Sequence, residues 1–127
     1  MSLGLKEKAA LCYNSALAKK AVNVMALDVR GLTDMADVFI IASGTSRRHV
    51  QTIVDYIEDS LREFGEKNYH IEGYENARWT LIDAGDVIVH VFQEEARDYY
   101  RLEGLWADAP PFEVEAELEE TSGGAHG

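Results

Sequence analysis

Ser43, Gly44, Thr45 and Ser46 sit between an apolar run (Val38, Phe39, Ile40, Ile41, Ala42) and an amphipathic stretch that starts at Arg47. Hydroxyls and a permissive glycine at a strand-to-helix junction can cradle an anion, because the first amides of a helix have no partner inside it. Arg47 and Arg48 would add positive charge. The same residue types also serve as a helix cap and nothing more. The P-loop pattern is missing, since no Gly-Lys-Ser/Thr follows, and so is the dinucleotide fingerprint. Nucleotidyl transfer would also need paired carboxylates to hold Mg²⁺ beside the phosphates. The strand-like segment after the amphipathic stretch offers only Glu72, with no Asp-x-Asp, while Asp34 and Asp37 read as loop punctuation.

Metal chemistry has little to stand on. His49, His70, His90 and His126 form no His-x-x-x-His grouping, and Cys12 is the single cysteine. Neither a metal nor a cofactor is expected, and an internal disulfide is excluded. Cys12 lies on an apolar helical stripe and reads as a small buried hydrophobe. His90 lies inside the apolar run 87–92. It reads either as a hydrogen-bonded strand histidine or as a polar contact at a binding surface. A denser cluster follows: Trp79, Asp83, Asp86 and His90, then Arg97, Asp98, Tyr99, Tyr100, Arg101, Leu102, Glu103, Gly104, Leu105 and Trp106. Aromatic anchors ringed by carboxylates suit an interface with basic side chains. Tyr99, Leu102, Leu105 and Trp106 also have the spacing to pack a last helix on a sheet. The two readings can hold together on different faces.

The elements that must position these groups follow from periodicity. Leu5, Ala9, Cys12, Ala16 and Leu17 mark a first helix over 5–20. Residues 22–29 alternate as a strand, with Val22, Val24 and Ala26 on one face and Met25, Leu27 and Val29 on the other. Residues 38–42 form a strand buried on both faces. Val50, Ile53, Val54, Ile57, Leu61 and Phe64 mark a second helix over 47–65, capped by Thr45 or Ser46 and stopped by Gly65. A short strand is expected at 69–72, then a hairpin of 79–82 and 86–92, then a third helix over 94–103. For the hairpin, a loop ending on a left-handed Gly85 is preferred, setting Trp79 with Val87 and Val89; a two-residue loop of Ala84 and Gly85 would set it opposite His90. The order α-β-β-α-β-β-β-α predicts an α/β fold, a mixed β-sheet flanked by helices. The strands at 38–42 and 69–72 could be parallel.

Composition narrows the partner. The 127 residues support one domain, and 46% hydrophobic with 28% charged residues excludes wholesale disorder. Lys and Arg total 12 against 23 Asp and Glu, a net charge of −11. That sign opposes direct nucleic-acid binding and docking on anionic membranes, and points to a basic partner. No apolar run approaches the ~20 residues of a membrane span. The domain is expected to cover 1–111, with Pro110 and Pro111 ending order. Residues 112–127 read as an acidic, solvated tail.

Asp37 to Val50, Glu72-Gly73, Trp79-Thr80-Leu81-Ile82-Asp83, Asp86 to Phe92, Arg97-Asp98-Tyr99-Tyr100 and Leu102 to Trp106, taken jointly and in this order, resemble the ribosomal silencing factor family (RsfS, also called Iojap). The likeness spans roughly residues 5–109 and leaves the tail outside. It implies a nucleotidyltransferase-like fold without catalytic carboxylates, and a protein that is not an enzyme. It implies binding to a basic protein of the large ribosomal subunit, on the face where the small subunit docks. Subunit joining is then blocked and translation repressed when nutrients are short. It implies a homodimer when free. Carried over, the expected contact residues are Trp79, Asp83, Asp86, His90, Tyr99, Tyr100, Leu102, Glu103 and Trp106. The competing reading is a nucleotidyltransferase or phosphate-ester enzyme built on Ser43, Gly44, Thr45 and Ser46. Without an import extension, the expected compartment is a bacterial cytoplasm.

Overall fold

A computed structural model describes residues 3–100 and 106–114, with the side chains of 98–100 outside that set. The chain forms α1 (Leu5–Ala18), β1 (Val22–Asp28), β2 (Val38–Gly44), α2 (Arg47–Glu63), β3 (His70–Glu72), β4 (Trp79–Asp83), β5 (Val87–Gln93) and α3 (Glu94–Tyr100). The strands make one five-stranded sheet in the order β1-β2-β5-β4-β3. β2 and β5 are parallel, and every other neighbouring pair is antiparallel. This is the mixed α/β sheet that the pattern predicts. One expected link differs: β2 and β3 run the same way, but β5 and β4 lie between them. The parallel partner of β2 is β5, the other strand apolar enough to be buried on both faces.

Alternation along these two strands sends side chains to opposite sides of the sheet. Val38, Ile40, Ala42, Val87, Val89 and Val91 join the core beneath α1 and α2. Phe39, Ile41, Ile88 and Phe92 join a second cluster with Leu27 and with Ala96 of α3. The predicted stripe of α2 is what packs: Val50, Ile53, Val54, Ile57 and Leu61 are fully buried, each worth about 2 kcal/mol of apolar transfer. β1 uses both of its predicted faces. Its pairing with β2 slips between Val22 and Met25, where Asn23 takes a φ of 51°, so the strand carries a bulge.

The two long helices end alike. At α2, Gly65 has a φ of 89°, its N–H donates to Arg62 O, and Glu66 N–H donates to Leu61 O. At α1, Lys20 N–H donates to Leu17 O and Ala21 N–H to Ala16 O, with Lys20 at a φ of 62°. Both are the two-bond closure that needs a left-handed residue just past the helix. Gly65 announces it. Lys20 does not, which is why the first helix stops at Ala18, short of the expected 20.

The β4–β5 hairpin adopts neither expected register. Trp79 pairs with Phe92 and Asp83 with Ile88. Ala84 is buried against the helix-side core, and its N–H donates to Val87 O. The reversal therefore falls on Gly85 and Asp86, with Gly85 at a φ of 89°. Lys8 of α1 holds this tip. Its Nζ donates to Ala84 O and to Asp86 Oδ1, each at 2.8 Å, and lies 3.6 Å from Glu66 Oε1. Lys8 is 5% exposed and Glu66 4%.

Order also runs past the two prolines, where it was expected to end. Asp28 N–H donates to Pro110 O and Phe112 N–H donates to Ala26 O, so Leu27 and Pro111 form a bridge on the outer edge of β1. Phe112 and Val114 then pack on the helix-side core.

Removing the Lys8 ammonium would leave the buried Glu66 carboxylate without its counter-charge, a change that typically costs several kcal/mol. Lys8→Ala is therefore expected to lower unfolding stability by about 3 kcal/mol in urea denaturation, and Asp86→Asn, half exposed, by clearly less.

Candidate functional site

The sheet face opposite α1 and α2 carries a chain of rings. Leu81 is paired with His90 across β4 and β5, and Ile41 with His90 across β2 and β5. Trp79 stacks on Phe92 with centroids 5.1 Å apart and lies 6.0 Å from His90. His90 meets Phe39 edge-on at 4.8 Å, and Phe39 meets Trp106 edge-on at 5.4 Å. Trp79, Leu81, Met25 and Trp106 are half-buried around this cluster. Their open surface is what the face presents to a partner.

His90 is 3% exposed. Of the two readings of this residue, the geometry fits the strand histidine. Trp79 Nε1–H donates to His90 Nδ1 at 3.1 Å, which requires Nδ1 to be unprotonated and places the ring proton on Nε2. Burial pushes the His90 pKa down to about 4, so the ring is neutral at neutral pH. Its Nε2 finds no hydrogen-bond partner among the described residues. His90 thus lies beneath the surface and fixes the indole of Trp79, the residue that reaches it.

The expected carboxylates are placed elsewhere. Asp83 lies on the ring face, but four residues along β4 from Trp79, about 13 Å away. Its Oδ1 accepts from Gly85 N–H, and the side chain remains partly open. Asp86 is turned to Lys8. Tyr99 and Tyr100 close α3 with side chains outside the described set, and Leu102 and Glu103 lie outside the described residues. Trp79, His90 and Trp106 are therefore brought together, and Asp86 is held away from them.

α3 is anchored by a residue whose role the sequence does not advertise. Arg97 is 6% exposed, and its Nη1 donates to Asn23 O at 2.7 Å and to Ser43 Oγ at 2.9 Å. The β1 bulge turns the Asn23 carbonyl out of the ladder, and the guanidinium takes it. Phe39, the ring that links His90 to Trp106, is likewise hidden inside a continuous apolar run. Its signal was the alternation Phe39, Ile41 within that run.

The 43–46 stretch is occupied by its own chain. Ser43 and Gly44 belong to β2, and the Ser43 hydroxyl is bound to Arg97. A Cβ on Gly44 would come within 2.9 Å of Val50 N, so this glycine lets α2 approach the strand. Ser46 is the cap, accepting from His49 N–H at 3.0 Å. Thr45 N–H donates to His49 Nδ1 at 2.9 Å, and His49 Nε2 donates to Lys19 O at 2.8 Å. Capping accounts for these groups. Among the described residues, no group of three or more His, Cys, Asp or Glu could hold a metal ion, and no helix is long and apolar enough to cross a membrane.

A histidine held neutral by burial binds fewer protons folded than unfolded. Its contribution to stability is full above the unfolded pKa of about 6.5 and is lost as pH falls toward 4. Between pH 7 and 5 that loss is about 2 kcal/mol. His90→Phe is expected to remove it, flattening the stability profile by that amount over the same range, and to shift the Trp79 emission as the indole loses its acceptor.

Residues 3–126 match the family described as "Ribosomal silencing factor during starvation", a span that takes in the acidic tail as well as the 5–109 stretch. The chain is 47% identical over 105 residues to Ribosomal silencing factor RsfS of Halalkalibacterium halodurans, covering 83% of this chain and 90% of that one. It is 34% identical over 73 residues to the mouse protein named Mitochondrial assembly of ribosomal large subunit protein 1, covering 55% of this chain and 32% of that one. A crystal structure of a Chromobacterium violaceum protein superposes with a TM-score of 0.80 at 34% identity, covering 91% of this chain and 97% of that one. A match along nearly the whole chain, in sequence and in fold, makes the conclusion direct: this protein belongs to the ribosomal silencing factor family.

Proposed function

We propose that this protein represses translation by occupying the large ribosomal subunit where the small subunit must dock. The half-buried Trp79, fixed in place by His90, is the observation that carries this reading. A preset indole on an otherwise apolar face is a binding anchor that loses little freedom when it is covered. Trp106, Phe39 and the segment after α3, with Tyr99, Tyr100, Leu102 and Glu103, extend the same surface, and Asp83 gives it a negative margin. The partner is a basic protein of the large subunit. A chain of net charge −11 is drawn to such a protein and repelled by bare RNA. Repression is by occlusion, with no bond made or broken and no cofactor, and in the bacterial cytoplasm. When free, the chain pairs with itself.

Trp79→Ala is expected to weaken co-sedimentation with purified large subunits at least about tenfold, the scale of an interface anchor. Asp83→Lys should weaken it less, and circular dichroism should show both folds intact. Small subunits should retain neither the parent protein nor the variants. Folded Trp79→Ala protein that still co-sediments like the parent would remove this face from the reading.

A further inference from the structure

The segment that closes the β1 edge does not stop at the edge. Phe112 shares a cleft with Tyr13 of α1. Two residues on, Glu113 and Val114 share a cleft of about 670 Å³ with Lys6, Glu7 and Ala10. The chain is therefore travelling along α1 toward its N-terminus, with Phe112 and Val114 both seated on the core. The sequence continues this alternation. Ala116 and Leu118 follow at the same two-residue spacing, separated by Glu115 and Glu117.

We propose that residues 115–118 continue as a strap in the cleft along α1, with Ala116 and Leu118 on the helix and the glutamates outward. Extended chain advances about 3.3 Å per residue, so Leu118 lies about 13 Å beyond Val114. α1 rises about 1.5 Å per residue, so from Ala10 that distance reaches the first turn and Leu3. Leu3, Glu7 and Ala10 also line the neighbouring groove between α1 and α2, of about 540 Å³, whose far side is Tyr56 and Phe64. Charge favours the same path. The glutamates approach Lys6 and the positive end of the α1 dipole, where carboxylates are stabilised. The strap differs from the solvated tail expected for 112–127. It also acts at a distance, because the same segment begins at Trp106 on the ring face, crosses the β1 edge and ends on α1. Clasping its far end holds its near end.

Hydrogen exchange on the full chain tests this. The amides of 115–118 are expected to exchange at least about tenfold more slowly than unstructured peptide, at every protein concentration tried. Leu118→Asp should return them to the unstructured rate and speed exchange at 112–114, leaving β2 and β5 unchanged. A chain truncated after Val114 should show the same faster exchange at 112–114. Unstructured rates for 115–118 in the parent protein would overturn the proposal. So would protection that disappears on dilution, since the cleft would then be filled by a second copy. Unchanged exchange at 112–114 in both variants would overturn it as well.

Discussion

β2 and β5 lie side by side in the middle of the sheet, and every residue of the two except Gln93 is buried. Such a pair has to be covered on both sides, and the two covers are unlike. On one side α1 and α2 supply long aliphatic stripes, tied together by Ser15 Oγ donating to Ser60 Oγ at 3.0 Å. On the other, α3 covers part of the sheet, and aromatic side chains of the sheet and of the 106–109 turn cover more of it. The ring chain is thus first a consequence of burying β5 twice. It becomes a recognition surface because Trp79, Leu81 and Trp106 are large enough to fill the gap and still be seen from outside. Packing and recognition are drawn from the same residues, and the sequence could not have separated them.

Much of this architecture was legible in periodicity. The stripe of α2, the two faces of β1 and the doubly buried β2 were all read from spacing, because each is decided by where apolar groups must go. What spacing missed was polar. Lys8, Asn14 and Ser15 lie on the buried side of α1, among positions that an apolar count passes over. The hairpin register failed for a related reason. It depends on Lys8, far away in the chain, which takes the Ala84 carbonyl and lets the turn fall on Gly85 and Asp86. Likewise the left-handed Lys20 and the bulge at Asn23 carry no glycine to mark them.

The candidate site was legible in part, and in an instructive way. Trp79 and Trp106 converge, 27 positions apart in the numbering, through Phe39 of a third element. The acids between them looked like a negative ring around an aromatic centre. In space they serve other ends, Asp83 in the turn and Asp86 on Lys8. His90 and Arg97 show the same division: both are polar groups inside apolar surroundings, one holding an indole and the other joining α3 to the β1 bulge. Residue types near a binding surface include those that hold it in shape, and only the hydrogen bonds tell which are which.

The seam at the outer edge of β1 has a further consequence. Asp28 N–H and Ala26 O, which would otherwise be open to any passing strand, are taken by residues 110 and 112 of the same chain. The residues at this seam include Pro110 and Pro111, whose nitrogens carry no hydrogen and so offer nothing to the next strand. The sheet is finished on that side by side chains that cannot extend it. A protein that displays aromatic rings to attract one chosen neighbour is thereby guarded, along its backbone, against aggregation by unchosen ones.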